Sequence, residues 1–279
     1  MGETGHVLCV KNRSGNVHDG KASRVFLRGL FAQIRATLGP LYRLRFRLDG
    51  AFFRQDVVSL LEARGAGYAI KVPFFHWLDL QGRIARRRRW QRADGDVEFF
   101  EEALAVTPWH THLRVAIYRK RVYHRSAKNY QLDLFDPDDG YFEYSAIATN
   151  LDLTGPRLWR FMCGRGAHEK AIGELKTGLA FASIPTQHYG ANSAWQQLVA
   201  LAHNLLTNFQ IEAGAARRPR GARATALFVL KSVQTLRFEI FHRAGLLLRP
   251  NGSTILRLAA NPQVRQAFTR TASRLPEVA

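Results

Sequence analysis

Between Met162 and Lys176 the chain reads Met-Cys-Gly-Arg-Gly-Ala-His-Glu-Lys-Ala-Ile-Gly-Glu-Leu-Lys. If this stretch is helical, Arg165, Glu169 and Lys176 stand at i, i+4 and i+11 and project from nearly one stripe. Leu158, Phe161, Ile172, Leu175 and Leu179 would form the opposite, core-facing stripe. A carboxylate held between two cations suits a metal ligand whose neighbours grip phosphate oxygens. Taken by itself, the window reads more simply as an ordinary exposed ion pair, worth a few tenths of a kcal/mol.

The elements that would position these groups begin at the N-terminus. His6 to Val10 reads as a short strand ending at the Asn12–Asn16 turn signal. Asp19 could cap a helix carrying Val25, Phe26, Leu30, Ile34 and Leu38, which Gly39-Pro40 would stop. Tyr42 to Leu48 alternates cationic and apolar residues, as a strand with one wet face would. Asp49-Gly50 ends it. Val57, Val58, Leu60 and Leu61 mark a second helix closed at Arg64-Gly65, and Gly67 to Val72 a further strand. Strand, helix and strand joined by short turns predict an α/β layer with Asp49 at the carboxyl end of its strand, where ligands bind in open sheets.

Residues 78–141 have a different texture. Arg86, Arg87, Arg88 and Arg89 precede Trp90, and Arg119-Lys120-Arg121 follows a strand-like run from Leu113 to Tyr118. Asp136 to Gly140 is a turn before a strand from Phe142 to Ala148. The basic runs, interleaved with Trp90, Trp109, Tyr123 and Tyr130, read as a surface that tracks a nucleic-acid backbone. A plain solvated face is the simpler alternative. Beyond them, Thr154 and Pro156 are a cap and first-turn proline for the helix bearing Glu169. An amphipathic helix follows from about Ser193 to Glu212. Its apolar side would be Trp195, Leu198, Val199, Leu201, Ala202, Leu205, Leu206 and Phe209. A basic linker (residues 215–223), a helix from about Ala224 to Phe241, a strand-like Leu246 to Leu248 and a loose final dozen residues complete the chain.

Composition narrows the partner. Forty-one Lys and Arg against 22 acids give a formal charge of +19, which points to a polyanion, nucleic acid before a membrane surface. A 46% hydrophobic content excludes a disordered tail, and no apolar run reaches the ~18 residues of a membrane span. No signal peptide is visible. Cys9 and Cys163 read as free buried thiols, and the ten histidines show no metal spacing.

Arg165, Glu169 and Lys176 match the Tyr-x-x-Arg-x-x-x-Glu-x-x-x-x-x-x-Lys signature of insertion-sequence DDE transposases. Ala148-Thr149-Asn150-Leu151, Ile172 to Lys176, Leu201-Ala202-His203-Asn204-Leu205, Ser14 to Asp19 and Arg47 to Phe53 resemble segments of the same family, the DDE group 1 domain. The resemblance covers roughly residues 1–215 and implies an α/β, RNase H-like core with a β-rich insertion and C-terminal helices. On that pattern residues 1–77 and 142–215 form the core, 78–141 the basic insertion and 216–279 a helical tail.

The resemblance also implies roles. Asp49 is the second metal-binding aspartate and Glu169 the third acid, converging on two Mg²⁺ (or Mn²⁺) ions. Arg165 and Lys176 hold phosphates, and Arg86 to Arg89 lie along the element's end DNA. The implied activity is cut-and-paste transposition, by in-line attack of water and then of a freed 3′-hydroxyl. Expected partners are double-stranded DNA (terminal repeats and target) and a second copy or a full-length transposase. No membrane is expected, and the expected setting is a bacterial cytoplasm, at the nucleoid. Met162 replaces the signature Tyr. The family's first aspartate should precede residue 1, Asp19 does not match it, and the expectation is an N-terminally truncated, inactive remnant. The alternative is a non-catalytic DNA-binding product that interferes with a full-length transposase.

Overall fold

The computed structural model describes residues 3–13, 22–122, 141–164, 166–219 and 226–275, and of residues 166–168 the backbone only. By contact the chain divides into two compact units, Ser14–Cys163 and Met1–Arg13 with Gly164–Ala279.

The first unit is built on a mixed sheet, six-stranded among the described residues, in which β1 (Arg45–Leu48), β2 (Gly67–Val72), β3 (Gln91–Asp94), β4 (Val97–Val106), β5 (Thr111–Val122) and β6 (Tyr141–Thr149) lie in the order β1-β2-β6-β5-β4-β3. β1 and β2 pair in parallel, and every other neighbouring pair is antiparallel. The strands predicted around Leu113 and Phe142 are β5 and β6. Their apolar runs are continuous because both faces are covered. Val115, Ile117, Ala146 and Ala148 bury on one face with Val57 and Leu61 of α2 (Gln55–Ala63). Ala116, Tyr118 and Ile147 bury on the other with Leu158 of α4 (Gly155–Cys163). The short α3 (Leu80–Arg86) adds Leu80 to the first core.

The helix before β1 forms as α1 (Ser23–Leu38), but on a different face. It buries Leu27, Phe31 and Ile34, whereas Val25 and Leu38 are exposed. Apolar residues surround this helix, so its packing against α2 and the contact of Phe31 with Phe46 of β1 select the stripe. The Asp19 cap and the 136–140 turn lie outside the described residues.

Polar clamps fasten the Ala148 to Leu151 segment. Asn150 accepts from the Tyr68 N–H (2.8 Å) and donates to Ala66 O (3.0 Å), while the Thr149 hydroxyl donates to Tyr68 O (2.6 Å). Arg114 grips Glu101 and the Leu151 and Leu153 carbonyls. The buried Tyr118 hydroxyl donates to Gly155 O (2.8 Å). At Gly155 an added Cβ would sit 1.9 Å from the Phe99 ring, so only glycine admits α4 this close.

The second unit is mainly helical: α5 (Gly166–Gly178), α6 (Tyr189–Glu212), α7 (Val233–Leu236), a two-stranded β7–β8 ribbon (Gly245–Leu248 with Ile255–Leu258) and α8 (Pro262–Ala272). The strand predicted at His6 to Val10 is not one. The segment runs antiparallel to α6 as an extended chain held by side chains. Asn204 accepts from the Val7 N–H (2.7 Å) and donates to Val7 O (2.8 Å), His203 meets Gly5 O, and Gln197 donates to Val10 O. The helix predicted from 224 to 241 shortens to α7 and a π-type turn at Arg237–Phe241. Conversely, the predicted loose end is helical to Ala272, because Asn261 caps the Val264 N–H and Pro262 starts the first turn. Cys9 and Cys163 are free as expected, but Cys163 is exposed rather than buried.

Candidate active site and nucleic-acid interface

Asp49 sits where the parallel strand β1 ends. Its backbone opens the Gly50–Phe52 turn, and one carboxylate oxygen accepts the Gly50 N–H at 2.8 Å, which orients an exposed carboxyl. Gly50 leaves room for a close approach: a Cβ there would come within 3.2 Å of Pro73 Cγ, beyond the end of neighbouring β2, and the proline ring would have to give by a few tenths of an ångström. The expected wet face of β1 is partly occupied, since Arg47 donates to Phe161 O (3.1 Å) and lies over the Phe161 ring. Asp49 is thus fixed by a parallel strand pair whose apolar partners Phe46, Leu48 and Ile70 reach the core.

Glu169 belongs to the other unit. It lies exposed in the first turn of α5, and Lys176 lies in the last. Seven residues apart on one helix, they share a stripe. The helix macrodipole favours an acid at the first position and a cation at the second. The opposite side is anchored by buried Leu175 and by Glu174, which accepts the Val233 N–H at 2.9 Å.

The single helix from Thr154 through Leu179 is corrected. The helix ends at Cys163, and α4 and α5 are separate helices. Leu158 therefore packs in the sheet unit, not on one stripe with Leu175. Glycines on both sides of Arg165 were the available signal. Arg165 itself lies outside the described residues.

The basic run is not uniform. Arg86 pairs with Asp79 at 2.7 Å, which holds that carboxyl below its usual range. Arg87 lies over the Phe100 ring and donates to Arg89 O. Arg88 and Arg89 are exposed and have no ion pair among the described residues. Arg119 pairs with Glu98 and lies 4.4 Å from the Trp90 ring and 4.6 Å from Phe142. Trp90 also meets Phe100 edge-on, and Trp109 packs on Phe53 at 4.7 Å. These two tryptophans brace the core rather than stand free to stack on bases. Tyr123 and Tyr130 lie outside the described residues. Spacing did not single out Arg237, which lines a groove with Lys176 although distant in sequence.

Among the described residues no three His, Cys, Asp or Glu side chains gather as a metal site. No described helix is long and apolar enough to cross a membrane.

A mixed α/β fold, an acid at the carboxyl end of a parallel strand and a second on a downstream helix define a class compatible with an RNase H-like transposase core. The chain belongs to the transposase DDE domain group 1 family, whose model matches residues 1–279. That family acts on DNA and generally depends on divalent metal. No curated protein matches the chain.

Proposed function

We propose that this chain serves DNA transposition of the insertion-sequence type, with Asp49 and Glu169 as two of the acids at the cut. The observation that carries the reading is Asp49, an oriented carboxylate at the carboxyl end of a parallel strand in a chain of this family. Hard carboxylate oxygens suit Mg²⁺ or Mn²⁺. Asp49 and Glu169 would hold such ions, which supply Lewis acidity to the phosphoryl oxygens when bound.

The chain's own groups do the remaining work. Lys176 and Arg165 hold the phosphates flanking the scissile bond in line for attack. Water forms the new bond to phosphorus as the bond to the 3′-oxygen breaks, and that oxygen leaves as a hydroxyl. The freed 3′-hydroxyl then attacks a target phosphodiester, its oxygen bonding to phosphorus as the target strand's bond from that phosphorus to its 3′-oxygen breaks and the departing oxygen takes up the proton. Arg88 and Arg89 lie along the duplex of the element's end, contributing position rather than sequence readout.

The test is Mg²⁺-dependent nicking of element-end DNA, compared with Asp49→Asn and Glu169→Gln. Nicking lost in both variants supports the reading, and nicking retained in either removes that acid from the site. Salt-sensitive binding that survives both changes without any nicking would mark the chain as a DNA-binding product that interferes with a full-length transposase.

A further inference from the structure

Apart from His203, α6 carries one titratable group that bears charge, Glu212 at its last position, in a chain whose formal charge is +19. Along its outer side Ala191, Ala194, Leu198, Leu201, Leu205 and Asn208 are exposed, at spacings that alternate between three and four. That is the seam of a two-stranded coiled coil, here roughly 27 Å long at the helical rise per residue. All three leucines are more than half exposed, while Val199, Ala200, His203 and Thr207 are the residues α6 buries. The N-terminal segment docks beside the seam, on Gln197, His203 and Asn204, and only Asn208 at the end of the row is engaged by it, through the His6 ring.

The chemistry of the row narrows what covers it. No Lys or Arg stands on α6, so neither a DNA backbone nor an anionic membrane surface is drawn to it. Elsewhere the excess of positive charge drives two copies apart once they come within about 8 Å at physiological salt. On α6 two copies can touch without bringing like charges together. The row also fits itself. In antiparallel pairing about a twofold axis, Leu198 meets Leu201 of the second copy and Ala194 meets Leu205, so leucine fills the layers that alanine leaves open. Parallel pairing would stack alanine on alanine and leave a gap at one end. Antiparallel alignment also opposes the two helix dipoles.

We infer that α6 is a self-association surface, on which a second copy of this chain docks antiparallel through Leu198, Leu201 and Leu205. The association needs no nucleic acid and stands apart from the proposed action on DNA.

Sedimentation equilibrium of the full chain, after nuclease treatment, tests it. The mass rises from one chain to two with a dissociation constant in the micromolar range, as a contact of this length allows. Leu201→Glu, a change at an exposed side chain, holds the chain as a monomer throughout that range, and Leu201→Met keeps the dimer. Added salt leaves the dimer intact or strengthens it, because it screens the repulsion between copies. A circular-dichroism melt below the dissociation constant verifies that each variant folds as the unaltered chain does. In a Cys9→Ser, Cys163→Ser background, copies carrying Ala194→Cys and copies carrying Leu205→Cys are joined by a short bismaleimide only when mixed. A monomer at every concentration, a dimer untouched by Leu201→Glu, or a dimer that salt dissociates overturns the inference. Cross-linking of either single-cysteine form with itself overturns the antiparallel pairing.

Discussion

In the sheet unit, Leu61, Ile70, Leu104, Val115 and Ile117 are wholly buried, and the clamps of Asn150 and Arg114 close the loop that leaves β6. The helical unit is organised differently. Its longest helix, α6, exposes Leu198, Leu201 and Leu205 by 60%, 54% and 60%, and what fastens the N-terminal segment to it is a row of side-chain hydrogen bonds. Apolar burial is the larger stabilising term, so the sheet unit carries its own order and the helical unit has less to spare. Asp49 therefore sits on the stiffer support, and Glu169, Lys176 and the groove sit on the softer one. A nucleic acid bound to the softer unit should order it by mass action.

The sharpest way to break this comparison is to cut into each unit alike. Leu104→Ala is expected to cost about 2–5 kcal/mol in urea unfolding, whereas Leu201→Ala stays within about 0.5 kcal/mol. Equal losses would mean that α6 is as well packed as the sheet.

Polar clamps come next. Asn150→Ala leaves the Tyr68 N–H and the Ala66 carbonyl without their partner and is expected to cost about 1–3 kcal/mol. The matching change Asn204→Ala, on a more accessible segment, should cost less and show first as faster hydrogen exchange at Val7. The reverse ranking would make the N-terminal segment the tighter of the two.

A pH titration sharpens the contrast further. Burial, reinforced by its bond to Glu62, pushes the Tyr68 phenol well above its usual range, and burial does the same for Tyr118. A group whose folded pKa is raised stabilises fully below its unfolded value, and that contribution is lost as pH rises towards the folded one. The sheet unit should thus lose stability above about pH 10, where tyrosine in the unfolded chain ionises. Tyr118→Phe should flatten that loss, and an unchanged alkaline slope would mean the phenol is not shielded.

The smallest effect is on the basic run. Arg88→Gln and Arg89→Gln should each lower the salt slope of DNA binding by about one, with Arg86→Gln leaving it nearly unchanged because that side chain is engaged by Asp79. Equal effects of all three would return the run to a uniform charged face.

Much of the layout was legible in residue order. The β1–α2–β2 passage was, with Asp49 at its turn, because short-range periodicity and glycine turns report on local backbone. β5, β6 and the span of α6 were legible for the same reason, but the buried face of α6 was not, since Leu198, Leu201 and Leu205 of the expected apolar side are exposed and Ala200, His203 and Thr207 are buried. β3 and β4 were not, since Val97 to Val106 mixes glutamates with apolar residues and its pattern makes sense only against β5, where Glu98 meets Arg119 and Glu101 meets Arg114. The helix break after Cys163 was written in two glycines and was overridden by the attraction of a continuous stripe.

Sequence by itself determined the family and the positive charge that calls for a polyanion, and it supplies the proposal of Asp49 and Glu169 as the acids, because those depend on residue type and order. Tertiary structure alone decided which face of α1 is buried, that Trp90 and Trp109 brace a core, and that Arg86 and Arg87 are engaged while Arg88 and Arg89 are exposed without an ion pair. It also brought Arg237 to Lys176. Such outcomes hang on contacts between residues far apart in the chain, and local spacing carries no record of them.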